Sequence, residues 1–217
     1  MTEQPAQSTR RGKQHAAARA TLGATRGPSD GRVRRGARNR IAILDALWAL
    51  VSEGALQPTA EQVAVRAGVG TRTVFRHFAD MDSLHAEISQ RMRRSVAPLL
   101  TAAGSSGNLE ERARDLVARR VALYERVAPF KRSAILHRRR SPFLQRQHQS
   151  MVRELRRAML AALPELLEAA APLVEGLDVV LSFEAWDRLR VDQRLGRERA
   201  EAALAATAQG LLAQLER

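Results

Sequence analysis

Residues 59–78 constrain the fold of this chain more than any other segment, and they read TAEQVAVRAGVGTRTVFRHF. Gly68 stands where a tight turn between two helices needs a left-handed backbone, which glycine adopts at low cost. Ala64 is small, as it must be where a second helix crosses close above the first. The segment predicts a helix-turn-helix, with an ordinary pair of packed helices as the alternative on spacing alone. The apolar contacts expected to lock the two helices come from Val63, Ala67, Val69, Val74 and Phe78.

Helical periodicity extends over most of the chain. Aromatic residues make up only 4% of it, and its apolar residues are mostly Ala and Leu, which lose little freedom in a helix. Thr59 with Gln62 and Asn108 with Glu111 have the spacing of a capping box. No segment reads as a convincing strand, so we predict an all-α fold. The predicted helices cover about 38–54, 59–67, 71–78, 80–98, 109–127, 130–140, 142–163, 173–190 and 197–215.

Residues 1–37 differ from the rest because they contain almost no large apolar side chains. Such a segment cannot bury enough surface to offset the entropy lost on ordering, so we predict a disordered basic arm. It is either a solvated leader or an arm that follows a DNA backbone or enters a minor groove. We predict an N-terminal three-helix domain over 38–84, which carries the helix-turn-helix, and a larger C-terminal helical domain over 85–217.

The chain is strongly basic, with 36 Lys and Arg against 23 Asp and Glu and a formal net charge of +13. A charge of this size favours a polyanion as partner. Arg72 and Arg76 are four residues apart, so they project side by side from the second short helix and repel by roughly a few tenths of a kcal/mol. Such a pair is favoured where phosphates or guanine edges lie opposite. A solvated basic face is the weaker alternative.

Several classes of protein receive no support from the sequence. It has no cysteine, which excludes disulfides, thiolate metal sites and cysteine nucleophiles. The five histidines have no close metal-ligand spacing, and no glycine-rich phosphate loop or serine nucleophile elbow occurs, so we expect no metal, no cofactor and no catalysis. No apolar run reaches the roughly 18 residues of a membrane span, and the N-terminus lacks the apolar core of a secretory signal. We expect a cytoplasmic protein with no membrane partner.

Residues 38–100 resemble the DNA-binding domain of TetR-family transcriptional regulators. The run Thr-Leu-Tyr-x-His-Phe, usual in the recognition helix of that family, stands here as Thr73-Val74-Phe75-Arg76-His77-Phe78. The sequence departs from the family at Gly70, Phe75 and Met81, where the family commonly has Ser, Tyr and Lys, and each change removes a phosphate contact. The remaining matching residues are Thr59, Ala64, Ala67, Gly68, Val69 and Leu84.

The resemblance also implies roles for individual residues of the recognition helix. Positions 73, 75 and 77 would help to hold DNA phosphates, whereas positions 71, 72 and 76 are best placed to read bases. The predicted DNA-binding residues are Thr59, Gly70, Thr71, Arg72, Thr73, Phe75, Arg76, His77, Arg35 and Arg38.

Two segments near the C-terminus predict a homodimer interface, with burial inside the same chain as the alternative. The resemblance implies that the last two long helices form a four-helix bundle with those of a second subunit. Two-fold symmetry would then place two recognition helices roughly 34–36 Å apart on a near-palindromic operator in double-stranded DNA. The predicted interface residues are Leu177, Leu181, Ala185 and Leu189 in the first segment and Leu204, Thr207 and Leu211 in the second.

The resemblance further implies a pocket for a small-molecule effector among the helices spanning roughly 109–190. For each candidate lining residue, ordinary core packing or surface exposure is the alternative. The scarcity of aromatic residues beside abundant Leu and Ala favours an apolar effector, and we expect Arg138–Arg140 to form a solvated face. The candidate lining residues are Tyr124, Phe130, His137, Phe143, Met151 and Trp186.

Two functional hypotheses follow. The first is a homodimeric DNA-binding repressor that a small-molecule effector releases from its operator. The alternative is an architectural or nonspecific DNA-binding protein driven by its basic arm. Deletion of residues 1–37 should abolish architectural binding, whereas it should only weaken binding to a specific operator.

Overall fold

A computed structural model describes residues 28–101 and 106–215 of the chain. Within these ranges every regular element is helical, which confirms the all-α prediction. By its contacts the chain divides into two units, residues 1–38 and 39–217. The helices are α1 (Pro28–Ser52), α2 (Ala60–Ala67), α3 (Thr71–His77), α4 (Met81–Thr101), α5 (Leu109–Arg138), α6 (Pro142–Ala162), α7 (Ala171–Val180), α8 (Phe183–Asp187) and α9 (Arg197–Leu212). A 3₁₀ turn, Pro164–Leu167, follows α6, and a π-helical turn, Arg188–Asp192, follows α8.

The described part of the first unit consists of the opening turns of α1. This helix begins at Pro28, so residues 28–37 are helical rather than part of a disordered arm. Proline suits a first helical position, and once a helix has formed, each added residue gains a hydrogen bond at little cost. These turns bury little apolar surface, since Val33 is 69% exposed, and apolar spacing therefore could not reveal them. The predicted disorder of residues 1–27 falls outside the described residues.

In the second unit, the helices that carry the motif contribute to one apolar core. Ile43 and Leu47 of α1, Val63 of α2, Val74 of α3 and Leu84 of α4 are each at most 1% exposed. Because the short helices α2 and α3 each have a buried side chain near the middle, the core fixes which face of each remains in solvent.

The larger part of the second unit is built around α5, which packs against α4, α6, α8 and α9. The sequence predicted a break at Pro129, yet α5 runs through it as one helix of 30 residues. Interior proline costs a hydrogen bond. Here the flanking turns are held on both sides by buried side chains, Val127 and Phe130 among them, and this burial offsets the loss.

The predicted helix over 173–190 is divided in the structure. Helix α7 ends at Val180, and Ser182 then caps α8 by accepting a hydrogen bond from the Ala185 N–H at 3.2 Å. The serine side chain competes with the helical ladder here and starts a new helix. Within the described residues, no helix combines the length and the apolar character needed to cross a bilayer.

Candidate DNA-binding interface

The turn between α2 and α3 is built as the sequence predicted. The Thr59 hydroxyl accepts a hydrogen bond from the Gln62 N–H at 3.2 Å, and the Gln62 side chain accepts one from the Thr59 N–H at 2.8 Å. Gly68 ends α2 in the left-handed region with φ 65° and ψ 34°. These local features confirm the predicted helix-turn-helix and set the direction in which α3 leaves the turn.

Helix α3 presents one face to the core and the other to solvent. Val74 is 1% exposed and anchors the inner face, whereas Phe75 is 48% exposed on the outer one. Arg72 and Arg76 are exposed as well, and neither forms a hydrogen bond or salt bridge with any part of the chain that the structure describes. The two guanidinium groups are thus free to contact a nucleic acid. Thr71, Thr73 and His77 are half-buried at the sides of the helix.

The freedom of this arginine pair contrasts with the state of other arginines in the second unit. Arg66, on the neighbouring helix α2, donates two hydrogen bonds of 2.8 Å to the Glu53 carboxylate. Arg156 and Arg132 likewise pair with carboxylates. Acidic partners are therefore available elsewhere on the surface, and the outer face of α3 is left without them.

The first residue before α3 is Gly70, which caps the helix with its backbone alone. Its φ of −77° and ψ of 151° suit any amino acid, and the space around a Cβ at this position is open. A serine, which the TetR family commonly has here, would fit and would add a hydroxyl. Gly70 can offer DNA no side-chain contact, in agreement with the departure noted in the sequence.

Arg40 connects three elements, α1, α3 and α4, and it is not among the predicted DNA-binding residues. Its guanidinium donates a hydrogen bond of 2.9 Å to the carbonyl of His77, at the end of α3. It also forms a salt bridge with Glu87 of α4 and lies 4.4 Å from the ring centroid of Phe78. From α1, Arg40 therefore ties the C-terminus of α3 to α4. No short-range signal marks this role, because its partners lie 37 and 47 residues away.

His77 contacts the protein more than the sequence suggested. Burial lowers its pKa, and the charges of Arg76 and Arg40 lower it further, so the imidazole is neutral near pH 7. Its Nε2 is buried and has no hydrogen-bond partner among the described residues. This nitrogen cannot reach DNA without a rearrangement, and a phosphate contact from His77 stays a prediction.

Of the other predicted DNA contacts, Thr59 is exposed at the start of α2. Arg35 and Arg38 are exposed on the part of α1 that belongs to the first unit. Their contact with DNA also stays a prediction.

The residues predicted for a subunit interface divide into two groups. Leu177, Leu181 and Leu204 are at most 3% exposed and belong to the core of their own chain, so they have no free surface to offer a partner. These leucines are buried, contrary to the prediction, because α7 packs against α9 and α9 packs against α5. The remaining four keep accessible surface: Ala185, Leu189 and Leu211 are half-buried and Thr207 is exposed.

Two of the residues predicted for an effector pocket line a cavity of about 60 Å³ bounded by α4, α5 and α6. They are Phe130 and Met151. Trp186 is instead fully buried in the core. Tyr124 is 1% exposed, donates its hydroxyl to the Leu181 carbonyl, and touches a second cavity of about 330 Å³ between α5, α6, α7 and α8.

The last two predicted pocket residues, His137 and Phe143, line neither of these two cavities. The ring of His137 stacks on that of His85, with the ring centroids 3.9 Å apart. Phe143 is half-buried near the start of α6.

Replacing Arg40 with methionine tests its role as a positioning residue. The variant keeps the aliphatic stem and loses the contacts to His77, Glu87 and Phe78, and we expect the free energy of unfolding to fall by about 1 to 2 kcal/mol. Because α3 is then less firmly held, affinity for DNA should fall as well. Urea denaturation and fluorescence anisotropy on a bound DNA fragment measure the two effects.

Arg91 offers a matched control for this variant. It joins α4 to α1 through Asp45 and lies 5.2 Å from the ring centroid of Trp48, yet it has no contact with α3. Arg91→Met should therefore lower stability with little change in DNA affinity. Equal losses of DNA affinity in the two variants would contradict a specific role for Arg40.

Comparison with known proteins agrees with the geometry. Residues 43–88 match the family described as bacterial regulatory proteins, tetR family. A solved TetR-family transcriptional regulator from Mesorhizobium loti is 20% identical with a TM-score of 0.60, over 82% of this chain and 97% of that chain. A transcriptional regulator from Rhodococcus sp. Rha1 is 20% identical with a TM-score of 0.61, over 82% of this chain and 96% of that one.

A TetR-family structure from Rhodococcus sp. is 16% identical with a TM-score of 0.58, over 80% and 98% of the two chains. At these identities the solved structures show a shared fold. No curated protein sequence matches the chain. The family match covers both helices of the motif, the same segment that leaves Arg72 and Arg76 free in solvent. Residues 43–88 therefore form a TetR-family DNA-binding domain, in a chain that shares the fold of solved TetR-family transcriptional regulators.

Proposed function

We propose that this regulator is a homodimeric repressor that a small-molecule effector releases from a near-palindromic operator. The observation that carries the proposal is the outer face of α3, where Arg72 and Arg76 are exposed and have no partner in the described part of the chain. In this proposal the protein acts in the cytoplasm by binding, without catalysis.

A face of α9 supports the homodimer. The buried side of this helix carries Leu204, Ala208 and Leu212, which pack into the core of the chain. Its exposed side carries small residues at helical spacing, and a helix with such a face can approach another helix closely. This face, rather than the buried leucines, is the surface we propose for the second subunit. It consists of Ala202, Ala206 and Gly210 of α9 and of Ala213, the residue that caps the helix.

The cavity between α4, α5 and α6 supports an effector site. It touches α4, the helix that follows the recognition helix after three residues, whereas the second cavity does not. At about 60 Å³ it is smaller than the roughly 300 to 1,000 Å³ of common ligand pockets. An effector would therefore have to push these helices apart, and movement of α4 would shift the DNA-binding helices. The coupling free energy between an effector site and a second binding site is typically about 1–3 kcal/mol.

Selection of bound DNA from a random pool, with the full-length chain, tests the proposal. We expect a near-palindromic site whose half-sites lie about one helical turn apart, and a dimer by analytical ultracentrifugation. Recovery of sequences without a shared motif would favour the architectural alternative. A variant without residues 1–27 leaves every described helix intact, and under the proposal it still selects the same motif.

A further inference from the structure

The cavity between α4, α5 and α6 is cationic as well as apolar. We infer that it binds an amphipathic anion, namely a monocarboxylate with an aliphatic or aromatic body. This inference rests on the effector site proposed above and adds its chemical class. It differs from the sequence-based expectation of an apolar effector.

The apolar part of the wall would hold the body of such a ligand. Met92 of α4, Phe130 of α5, and Leu144 and Met151 of α6 contribute to it. Removal of apolar ligand surface from water favours binding in proportion to the area that is buried. This wall alone would accept neutral and charged ligands with similar bodies, so the selectivity must come from the polar residues.

Three cations share the same cavity, and it has no acidic residue in its lining. Arg93 of α4 is neutralised by a salt bridge with Glu154 of α6. Lys131 and Arg138, both on α5, form no salt bridge with any described residue. An apolar cavity with two cations that lack a salt-bridge partner among the described residues is a favourable place for one carboxylate, because burial of an unpaired charge is costly.

The position of the Lys131 ammonium is fixed by neutral groups. It donates to Nδ1 of His148 at 3.4 Å and lies 5.1 Å from the ring centroid of Phe183. Burial lowers the pKa of Lys131, and the charge of Arg138 adds to this effect, while Glu184 opposes it. Lys131 and Glu184 both line the second cavity, yet no salt bridge joins them in the described part of the chain. A bound carboxylate would supply the missing counter-charge.

Arg138 was expected to belong to a solvated run with Arg139 and Arg140. The two later residues are exposed, as expected, but Arg138 is half-buried and lines the cavity. It lies seven residues after Lys131 on α5, which is about two helical turns, so both side chains leave the same face of the helix. The spacing lets a carboxylate lie between the two cations.

Isothermal titration calorimetry with three matched probes tests the inference. The probes are octanoate, 1-octanol and octylamine, which share a body and differ in charge; 3-phenylpropanoate replaces the aliphatic body with an aromatic one. We expect saturable binding of at least one carboxylate, tighter than that of the alcohol or the amine by about tenfold or more, as one charge-assisted hydrogen bond provides. Equal binding of octanoate and 1-octanol, or no binding of either carboxylate, would overturn it.

Variants assign the anion to its residues. Lys131→Met and Arg138→Met should each weaken carboxylate binding by about tenfold, and Lys131→Arg should restore part of the loss. Arg139→Met removes a neighbouring exposed charge and should leave binding unchanged. Thermal melts followed by circular dichroism verify that each variant is folded. Unchanged carboxylate binding in both methionine variants would overturn the inference.

The same experiments separate this inference from the proposed function. A carboxylate that binds through Lys131 without releasing operator DNA would support the anion site and count against its use as an effector site. A chain that selects a palindromic operator yet binds the alcohol as well as the acid would support the repressor and overturn the anion site.

Discussion

Replacing both Arg72 and Arg76 with alanine is expected to abolish selective operator binding while leaving the fold intact. Both side chains are exposed and unpaired among the described residues, so no intramolecular contact is lost. Each bidentate base contact is worth about 1–3 kcal/mol of discrimination, and the double variant should therefore lose roughly a hundredfold or more in affinity. Removal of the repulsion between the two cations should leave stability unchanged or slightly higher.

The single variants distinguish base contacts from phosphate contacts. Loss of an arginine that reads a base should relax specificity at one position of the operator. Loss of an arginine that contacts a phosphate should weaken binding to all DNA sequences alike. It should also reduce the slope of log affinity against log salt concentration by about one. Fluorescence anisotropy on the selected operator, at several salt concentrations, measures both properties.

Arg66→Ala provides the matched control, since Arg66 is an exposed arginine of the same motif that is already paired with Glu53. It should change operator affinity much less than either α3 variant. If the double variant bound the operator as tightly as the wild type, α3 would not be the recognition helix of this protein.

The sequence predicted those parts of the fold and site that depend on local chemistry. The Thr59–Gln62 and Asn108–Glu111 capping boxes and the left-handed Gly68 are all present, because each depends on residues within a few positions of one another. The exposure of Arg72 and Arg76 followed from their spacing relative to Val74, which the core buries. The spacing of apolar and charged residues over one short helix is therefore enough to predict which face of the helix lies in solvent.

Features that depend on tertiary packing could not be predicted in this way. The spacing of Leu177 and Leu204 marks an apolar face, and such a face packs equally well against the same chain or a second copy. Arg40 reaches partners far along the chain, and nothing near it in the sequence marks them. Arg138 was predicted to be solvated because it begins a run of basic residues. The cavity that it lines lies between three helices, which come together only in the folded chain.

The second large effect concerns pH and the histidine pair between α4 and α5. His85 is 3% exposed, and its ring stacks on that of His137 at an interplanar angle of 27°. Nε2 of each ring is buried without a hydrogen-bond partner in the described residues, and Asp82 lies 3.5 Å from the other nitrogen of His137. Burial, followed by the neighbouring His137, lowers the pKa of His85 to about 4. The folded protein thus holds this ring neutral.

Acidification should therefore destabilise the protein through His85. In the unfolded chain a histidine binds its proton near pH 6.5, so between about pH 6.5 and 4 the unfolded state binds more protons than the folded one. The contribution of the neutral His85 ring to the free energy of unfolding is fully present above pH 6.5, and it is lost as the pH falls towards 4. A shift of this size corresponds to about 3 kcal/mol of unfolding free energy. His148, whose pKa burial also lowers to about 4, acts in the same direction.

Urea denaturation at several pH values between 7.5 and 4.5 measures this loss, and His85→Phe assigns it. Phenylalanine keeps an aromatic ring against His137 and cannot bind a proton, so the free energy of unfolding should depend less steeply on pH in the variant. The difference between variant and wild type at pH 7.5 reports the change in packing alone, which separates it from titration. Parallel curves across the whole range would show that His85 contributes nothing to the pH dependence. A flatter curve would place the acid-sensitive contact where α4, the helix that follows the recognition helix, meets α5.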